Sequence, residues 1–206
     1  ASPVLQRPLD FGADVVAYSA TKLMDGQGRV LAGAICGSRQ FIDEVLLPFQ
    51  RNTGPTLSPF NAWVVLKGLE TLELRALRQS ESALELARLV EGRGITTRHP
   101  GLESHPGHAT ALRQMRHYGP IFAFETAGRQ QAFAVLDALR LIDISNNIGD
   151  ARSLLCHPAS TTHAGLTAEA RAEMGVGEGL LRINVGLEDP ADLAEDLTRA
   201  LAAAGL

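Results

Sequence analysis

Asp14-Val15-Val16-Ala17-Tyr18, followed at once by Ser19-Ala20-Thr21-Lys22, is the stretch that decides the fold. The first five residues come after Gly12 and read as a short buried strand, being largely β-branched and aromatic. Ser19 to Lys22 then read as a loop, which leaves a lysine just past the strand end with hydroxyls at Ser19 and Thr21. Lys22 and Lys67 are the only lysines in the chain. Lys67 falls in a long helical pattern beside Gly68 and reads as a solvated or snorkelling side chain. A lysine after a strand is, taken alone, most often surface charge. An amine that forms a Schiff base must instead be held by its scaffold and able to lose a proton, and neighbouring hydroxyls can donate to a phosphate.

Working outward, Gly26, Gln27 and Gly28 make a turn, and residues 30–37 (Val-Leu-Ala-Gly-Ala-Ile-Cys-Gly) read as a second buried strand in which Gly33 allows close backbone packing. A short helix over 39–47 is expected to stop at Pro48, which lacks an N–H, and 51–57 to form a loop. Ser58-Pro59 places an N-cap before a proline at the first helical position. From there to about residue 90 the apolar side chains Phe60, Trp63, Leu66, Leu69, Leu72, Leu77, Leu84 and Leu89 approximate one face of a long helix, expected to pack into a core, with Gly68 a candidate kink. Beyond Gly94 the spacing predicts a helix from Ser104-His105-Pro106 to about His117, a strand over 121–124, a helix over 130–140, a strand over 180–185, and a helix over 190–203 capped by Asp189. The alternation is that of an α/β fold, without internal repeats or a Gly-rich nucleotide motif.

Composition narrows the function. The 206 residues are 45% hydrophobic and 20% charged, which supports a packed core. The net charge is -4, with no basic block, which argues against a nucleic-acid partner. No apolar run reaches the roughly 18 residues of a membrane span. Cys36 and Cys156 each sit in an apolar stretch, which suggests reduced thiols and a cytoplasmic protein. The six histidines show no metal-ligand spacing: Pro100 and Pro106 interrupt His99, His105 and His108, and His157 and His163 flank a proline-containing loop, so no metal site is expected. No Gly-x-Ser-x-Gly elbow is present. Ala1-Ser2-Pro3 is not a start signal, so the chain reads as beginning in mid-protein.

Leu5-Gln6-Arg7-Pro8-Leu9-Asp10-Phe11-Gly12-Ala13-Asp14-Val15-Val16 with Tyr18-Ser19-Ala20-Thr21-Lys22 resembles the lysine segment of the pyridoxal-phosphate (PLP) dependent Cys/Met metabolism enzymes, which include cystathionine synthases and lyases and homoserine-ester sulfhydrylases. Asp25-Gly26-Gln27-Gly28-Arg29-Val30-Leu31-Ala32-Gly33 looks most like the O-succinylhomoserine sulfhydrylase branch. The resemblance continues through residues 53–63 and 66–72 (the family's bridging helix), 100–102 with 104–106, Ser153-Leu154, His157-Pro158-Ala159, Thr161-Thr162-His163, and Leu181-Arg182-Ile183-Asn184-Val185-Gly186-Leu187-Glu188-Asp189.

By that resemblance the fold is the PLP-dependent, aspartate-aminotransferase type (fold type I). Residues 1–70 are the end of the large domain and the start of the bridging helix, and 71–206 the small C-terminal α/β domain. Lys22 carries PLP as a Schiff base, and Ser19 and Thr21 contact the cofactor. Arg182 holds the substrate carboxylate, for which a planar guanidinium offers two parallel hydrogen bonds. Asn147 stands where many relatives have serine and is read as substrate-binding; Thr162 is a lesser candidate to support Arg182. The implied reaction is γ-replacement on O-succinylhomoserine by sulfide, giving homocysteine and succinate, in a homo-oligomer, by analogy a tetramer. The alternatives are O-acetylhomoserine sulfhydrylase, cystathionine γ-synthase or lyase, and, in another class, a non-catalytic piece that associates with partner subunits. The aspartate that pairs with the cofactor ring nitrogen in relatives, their ring-stacking tyrosine and their phosphate turn are expected upstream of Ala1, so the 206-residue chain alone is expected to bind PLP poorly.

Overall fold

The computed structural model describes residues 2–206. Two β-sheets share one long helix. The first sheet is a hairpin of β1 (Val15–Ser19) and β2 (Gly33–Gly37), antiparallel in a register that sets Tyr18 opposite Ala34. β2 begins three residues later than the apolar run suggests, because the backbone of Ala32 is taken up by the lysine turn: Ala20 N and Thr21 N both donate to Ala32 O.

Helical segments α1 (Arg39–Phe41), a π turn (Ile42–Leu46) and α2 (Leu47–Thr53) follow one another without a break. Pro48 therefore does not stop the helix, contrary to the expectation from sequence. The π turn restarts the α ladder at Leu47, so proline falls in a first turn, where its missing N–H has no helical partner to lose. Helix α3 (Pro59–Leu69) starts as expected, with Ser58 Oγ accepting from Asn61 N at 3.1 Å. The single long helix foreseen from Pro59 to about residue 90 is two: α4 (Leu72–Glu91) begins after a break at Glu70-Thr71. Gly68 O is captured by the Arg75 side chain at 2.7 Å, and a side chain inserted into the ladder ends it there. The expected apolar face also divides. Leu72, Ala76, Leu86 and Val90 of α4 are buried, whereas Phe60, Trp63 and Leu66 of α3 are more than half exposed.

The second sheet has the order β3-β4-β7-β6-β5, built from β3 (Thr97–Arg98), β4 (Ile121–Glu125), β5 (Asp143–Ile144), β6 (Leu154–Cys156) and β7 (Leu180–Asn184). All neighbours are antiparallel except β5 and β6. Helix α5 (His108–Gln114) is shorter than the 104–117 expected, because Ser104-His105-Pro106 form turns and Gly107 occupies the cap. Helix α6 (Arg129–Ala138), a short α7 (Ala168–Glu173) and α8 (Pro190–Ala203) complete the chain, α8 capped by Asp189 Oδ1 on Ala191 N at 2.8 Å.

β4 buries alternate residues, Phe122 and Phe124, and β7 buries Leu181 and Ile183; α4, α6 and α8 cover them with Leu86, Val135, Leu193 and Leu197. Each such side chain contributes roughly 1.5–3 kcal/mol by leaving water. A smaller core joins Leu5, Ala20 and Met24 to Leu72 and Ala76 of α4. Thus α4 ties the lysine turn to the five-stranded sheet. Because β5 and β6 are parallel neighbours, the chain between them must leave the sheet and return, and that excursion, residues 145–153, reaches Lys22.

Candidate active site

The turn after β1 is built around Lys22. Ala20–Met24 wind as a π turn closed by Asp25 N on Ala20 O at 2.9 Å, but Lys22 itself departs from helical geometry (φ -89°, ψ -124°). Thr21 Oγ1 accepts from Ala32 N at 2.9 Å and donates to Ala32 O at 3.3 Å, which fastens the turn to the approach of β2. The ammonium of Lys22 donates to Asn147 Oδ1 at 2.7 Å. Among the described residues it makes no ion pair.

Asn147 lies on the 145–153 excursion, and four other residues hold that loop down. Gly149 has φ +74°, and a Cβ on it would lie 2.5 Å from Leu23 N and 2.8 Å from Lys22 C, so only glycine allows this approach to the lysine backbone. Asn184, buried in β7, accepts from Gly149 N at 2.7 Å and donates to Asp150 O and Arg152 O. Gln79 of α4 donates to Asp150 O at 2.8 Å. Arg182, two residues before Asn184, donates from Nη2 to Asn146 O at 2.8 Å. Consecutive residues of one loop therefore touch the two ends of the site: Asn146 the guanidinium, Asn147 the amine.

Lys22 opens into a cavity of about 410 Å³ whose walls include Ser19, Met115, Tyr118, Ile121 and Ile148. The phenol of Tyr18, also in the wall, titrates above its ordinary value because it is desolvated, with the nearby Cys36 adding to the effect. Cys156 faces Arg182 across the β6–β7 register. Burial pushes its thiol up, while the Arg182 guanidinium and Thr161 pull the other way.

The structure thus brings together Ser19, Lys22 and Asn147, and links Arg182 to them through the loop. Thr21 is engaged with Ala32 at the approach of β2. Thr162 is exposed, its hydroxyl 2.8 Å from His163 Nδ1 instead of on Arg182 as expected. Asn184, Gly149, Gln79 and Arg75 escaped the sequence reading. One of them carried a signal: an asparagine inside the apolar strand Leu-Leu-Arg-Ile-Asn-Val needs buried partners, and such a residue is rarely idle.

Comparison with known proteins places this geometry. The family model of the Cys/Met metabolism PLP-dependent enzymes matches residues 1–202. An O-succinylhomoserine sulfhydrylase of Mycobacterium tuberculosis is 50% identical over 208 residues, covering 98% of this chain and 51% of the relative. An L-methionine gamma-lyase of Treponema denticola is 41% identical, over 97% of this chain and 51% of the relative. The crystal structure of cystathionine gamma synthase from Xanthomonas oryzae pv. oryzae, in complex with aminoacrylate and cysteine, superimposes with a TM-score of 0.94 at 41% identity, covering 99% of this chain and 54% of that one. The chain spans about half the length of the curated relatives it matches. The fold is that of these fold type I enzymes, and the chain belongs to the Cys/Met metabolism PLP-dependent enzyme family.

Proposed function

We propose that the full-length protein containing this chain catalyses γ-replacement on O-succinylhomoserine with sulfide, releasing succinate and forming homocysteine. The observation that carries the reading is the loop that joins the Lys22 amine, through Asn147, to the Arg182 guanidinium, through Asn146. The residues present fit PLP: a primary amine whose partner among the described residues is a neutral amide opens into a cavity large enough for a ring, with Ser19 in the same wall. When bound, PLP supplies an electron sink for carbanion chemistry at the substrate.

The chain's own residues do the rest. Lys22 Nζ takes a proton from the substrate Cα and then one from Cβ, so that the γ-ester C–O bond breaks and succinate leaves; once sulfide has added at Cγ, Lys22 Nζ returns a proton to Cβ and one to Cα. Asn147 Oδ1 keeps Nζ aimed into the cavity between these transfers. Arg182 clasps the substrate α-carboxylate, by two parallel hydrogen bonds when it releases Asn146 O. Ser19 donates to the cofactor phosphate. Thr21 can do so while keeping its bond from Ala32 N, since only its weaker 3.3 Å donation to Ala32 O need turn away. Thr162 receives no role. The proposal includes a homo-oligomeric, cytoplasmic protein, as the resemblance implies.

Steady-state rates of the full-length protein test it, with O-succinylhomoserine against O-acetylhomoserine, sulfide against cysteine, and methionine and cystathionine as lyase substrates. The highest kcat/KM is expected for O-succinylhomoserine with sulfide, and preference for any other pair refutes the assignment. Borohydride reduction followed by peptide mapping is expected to label Lys22. A label on Lys67, or a full-length protein without a Lys22-dependent cofactor band, would favour the non-catalytic alternative.

A further inference from the structure

The π turn that carries Lys22 leaves two backbone carbonyls, Leu23 O and Met24 O, facing the start of α4. There the guanidinium of Arg75, itself 7% exposed, meets them: Nη1 donates to Leu23 O at 2.9 Å and Nη2 to Met24 O at 3.3 Å. The same Nη2 donates to Gly68 O at 2.7 Å, and Nε to Thr71 Oγ1 at 3.1 Å. One side chain thus grips the two residues that follow the lysine and, with the same fork, the last turn of α3. Gly68 completes the clamp from the other side, since a Cβ there would press into Met24 O and lie 2.9 Å from Asp25 O. Neighbouring charges do not hold the guanidinium directly. The Asp25 carboxylate is taken by Arg29 N at 2.7 Å and Arg29 Nε at 2.8 Å.

A buried charge is retained at a cost unless its donors are satisfied. Here they are satisfied by three carbonyls and the Thr71 hydroxyl, and a packed apolar residue could not serve those carbonyls. A lysine at this place could reach one or two of them as a point charge but could not hold them in a plane.

We propose that Arg75 is a positioning residue for Lys22: by holding Leu23 O, Met24 O and Gly68 O with one planar fork, it fixes where the lysine amine enters the cavity. The inference rests on the reading of Lys22 given above. Its consequence is that loosening the fork misplaces Nζ relative to Asn147 and to the cofactor. A displacement near 1 Å in such a site costs up to about a hundredfold in rate.

The test uses the full-length protein loaded with PLP and the variants R75K and G68A, with E73Q as a control on the exposed face of the same helix. Four quantities are read: the melting temperature, the position and pH midpoint of the cofactor's visible band, kcat, and KM. R75K and G68A are expected to displace the band or its midpoint and to lower kcat by about tenfold or more, with KM changed by less than about threefold. E73Q is expected to match wild type. A folded R75K or G68A that melts lower but keeps the wild-type band and kcat overturns the proposal, because a purely structural arginine would behave that way. Should R75K not accumulate as folded protein, G68A decides by the same criteria, since it displaces Met24 O while leaving the Arg75 guanidinium in place. A wild-type protein whose band does not depend on Lys22 overturns the reading of Lys22 and this inference with it. A normal wild-type band with unshifted variants overturns only the role of Arg75.

Discussion

Substituting Gly149 by alanine tests the geometry at its tightest point. The new Cβ would lie 2.5 Å from Leu23 N, about 0.9 Å inside the 3.4 Å at which ordinary contact begins. Leu23 belongs to the clamped lysine turn, so the 147–150 loop is the part that must give way. A retreat of that size would stretch the 2.7 Å contact from Lys22 Nζ to Asn147 Oδ1 beyond hydrogen-bond range. The left-handed φ of +74° adds about 1–2 kcal/mol for a residue with a Cβ, and overpacking adds roughly 1–3 kcal/mol. The expected outcome is a loss of about 2–5 kcal/mol in urea unfolding of the full-length protein. With it comes a fall in kcat on the order of a hundredfold, as expected for a 1 Å misplacement. Unfolding curves and steady-state kinetics on one preparation measure both. A G149A protein with wild-type kcat would refute the claim that this loop positions the lysine amine, however its stability changed.

Two further outcomes follow from the same structure. Arg182→Lys is expected to retain PLP while losing at least about 2 kcal/mol in kcat/KM, because a fork-shaped partner for a carboxylate becomes a point charge; an unchanged kcat/KM would remove Arg182 from the site. His99 is fully buried, and its pKa is lowered from the ordinary 6.5, chiefly by desolvation. Its Nδ1 accepts from Gly101 N at 3.1 Å, so Nε2 carries the proton toward Gly119 O, and protonating Nδ1 would break the first bond. The folded-state pKa is the depressed one. His99 therefore contributes no penalty above pH 6.5, and stability falls as pH drops below that value, where the unfolded chain takes up the proton first. His99→Gln is expected to flatten that part of the stability-against-pH curve, and a variant that keeps the wild-type slope would contradict the assignment.

The sequence by itself determined the lysine turn, the cap at Ser58, the alternating strand at Phe122 and Phe124, and the Asp189 cap, because each depends on residues within a few positions of one another. It also determined Arg182 as the carboxylate-binding candidate and the family, through segments that match in order. It could not determine where helices end when the cause lies elsewhere in the chain. The helix through Pro48 is rescued by a π turn, and the break at Glu70-Thr71 comes from an arginine that captures Gly68 O because Leu23 O and Met24 O lie beside it. It read Asn147 as substrate-binding, but not that the excursion between the parallel strands β5 and β6 carries it, across 125 positions, to the Lys22 amine. Local propensity and pattern are properties of neighbours along the chain. The site is made of hydrogen bonds between segments far apart in sequence, and only the packing of α4 against both cores brings those segments within reach of one another.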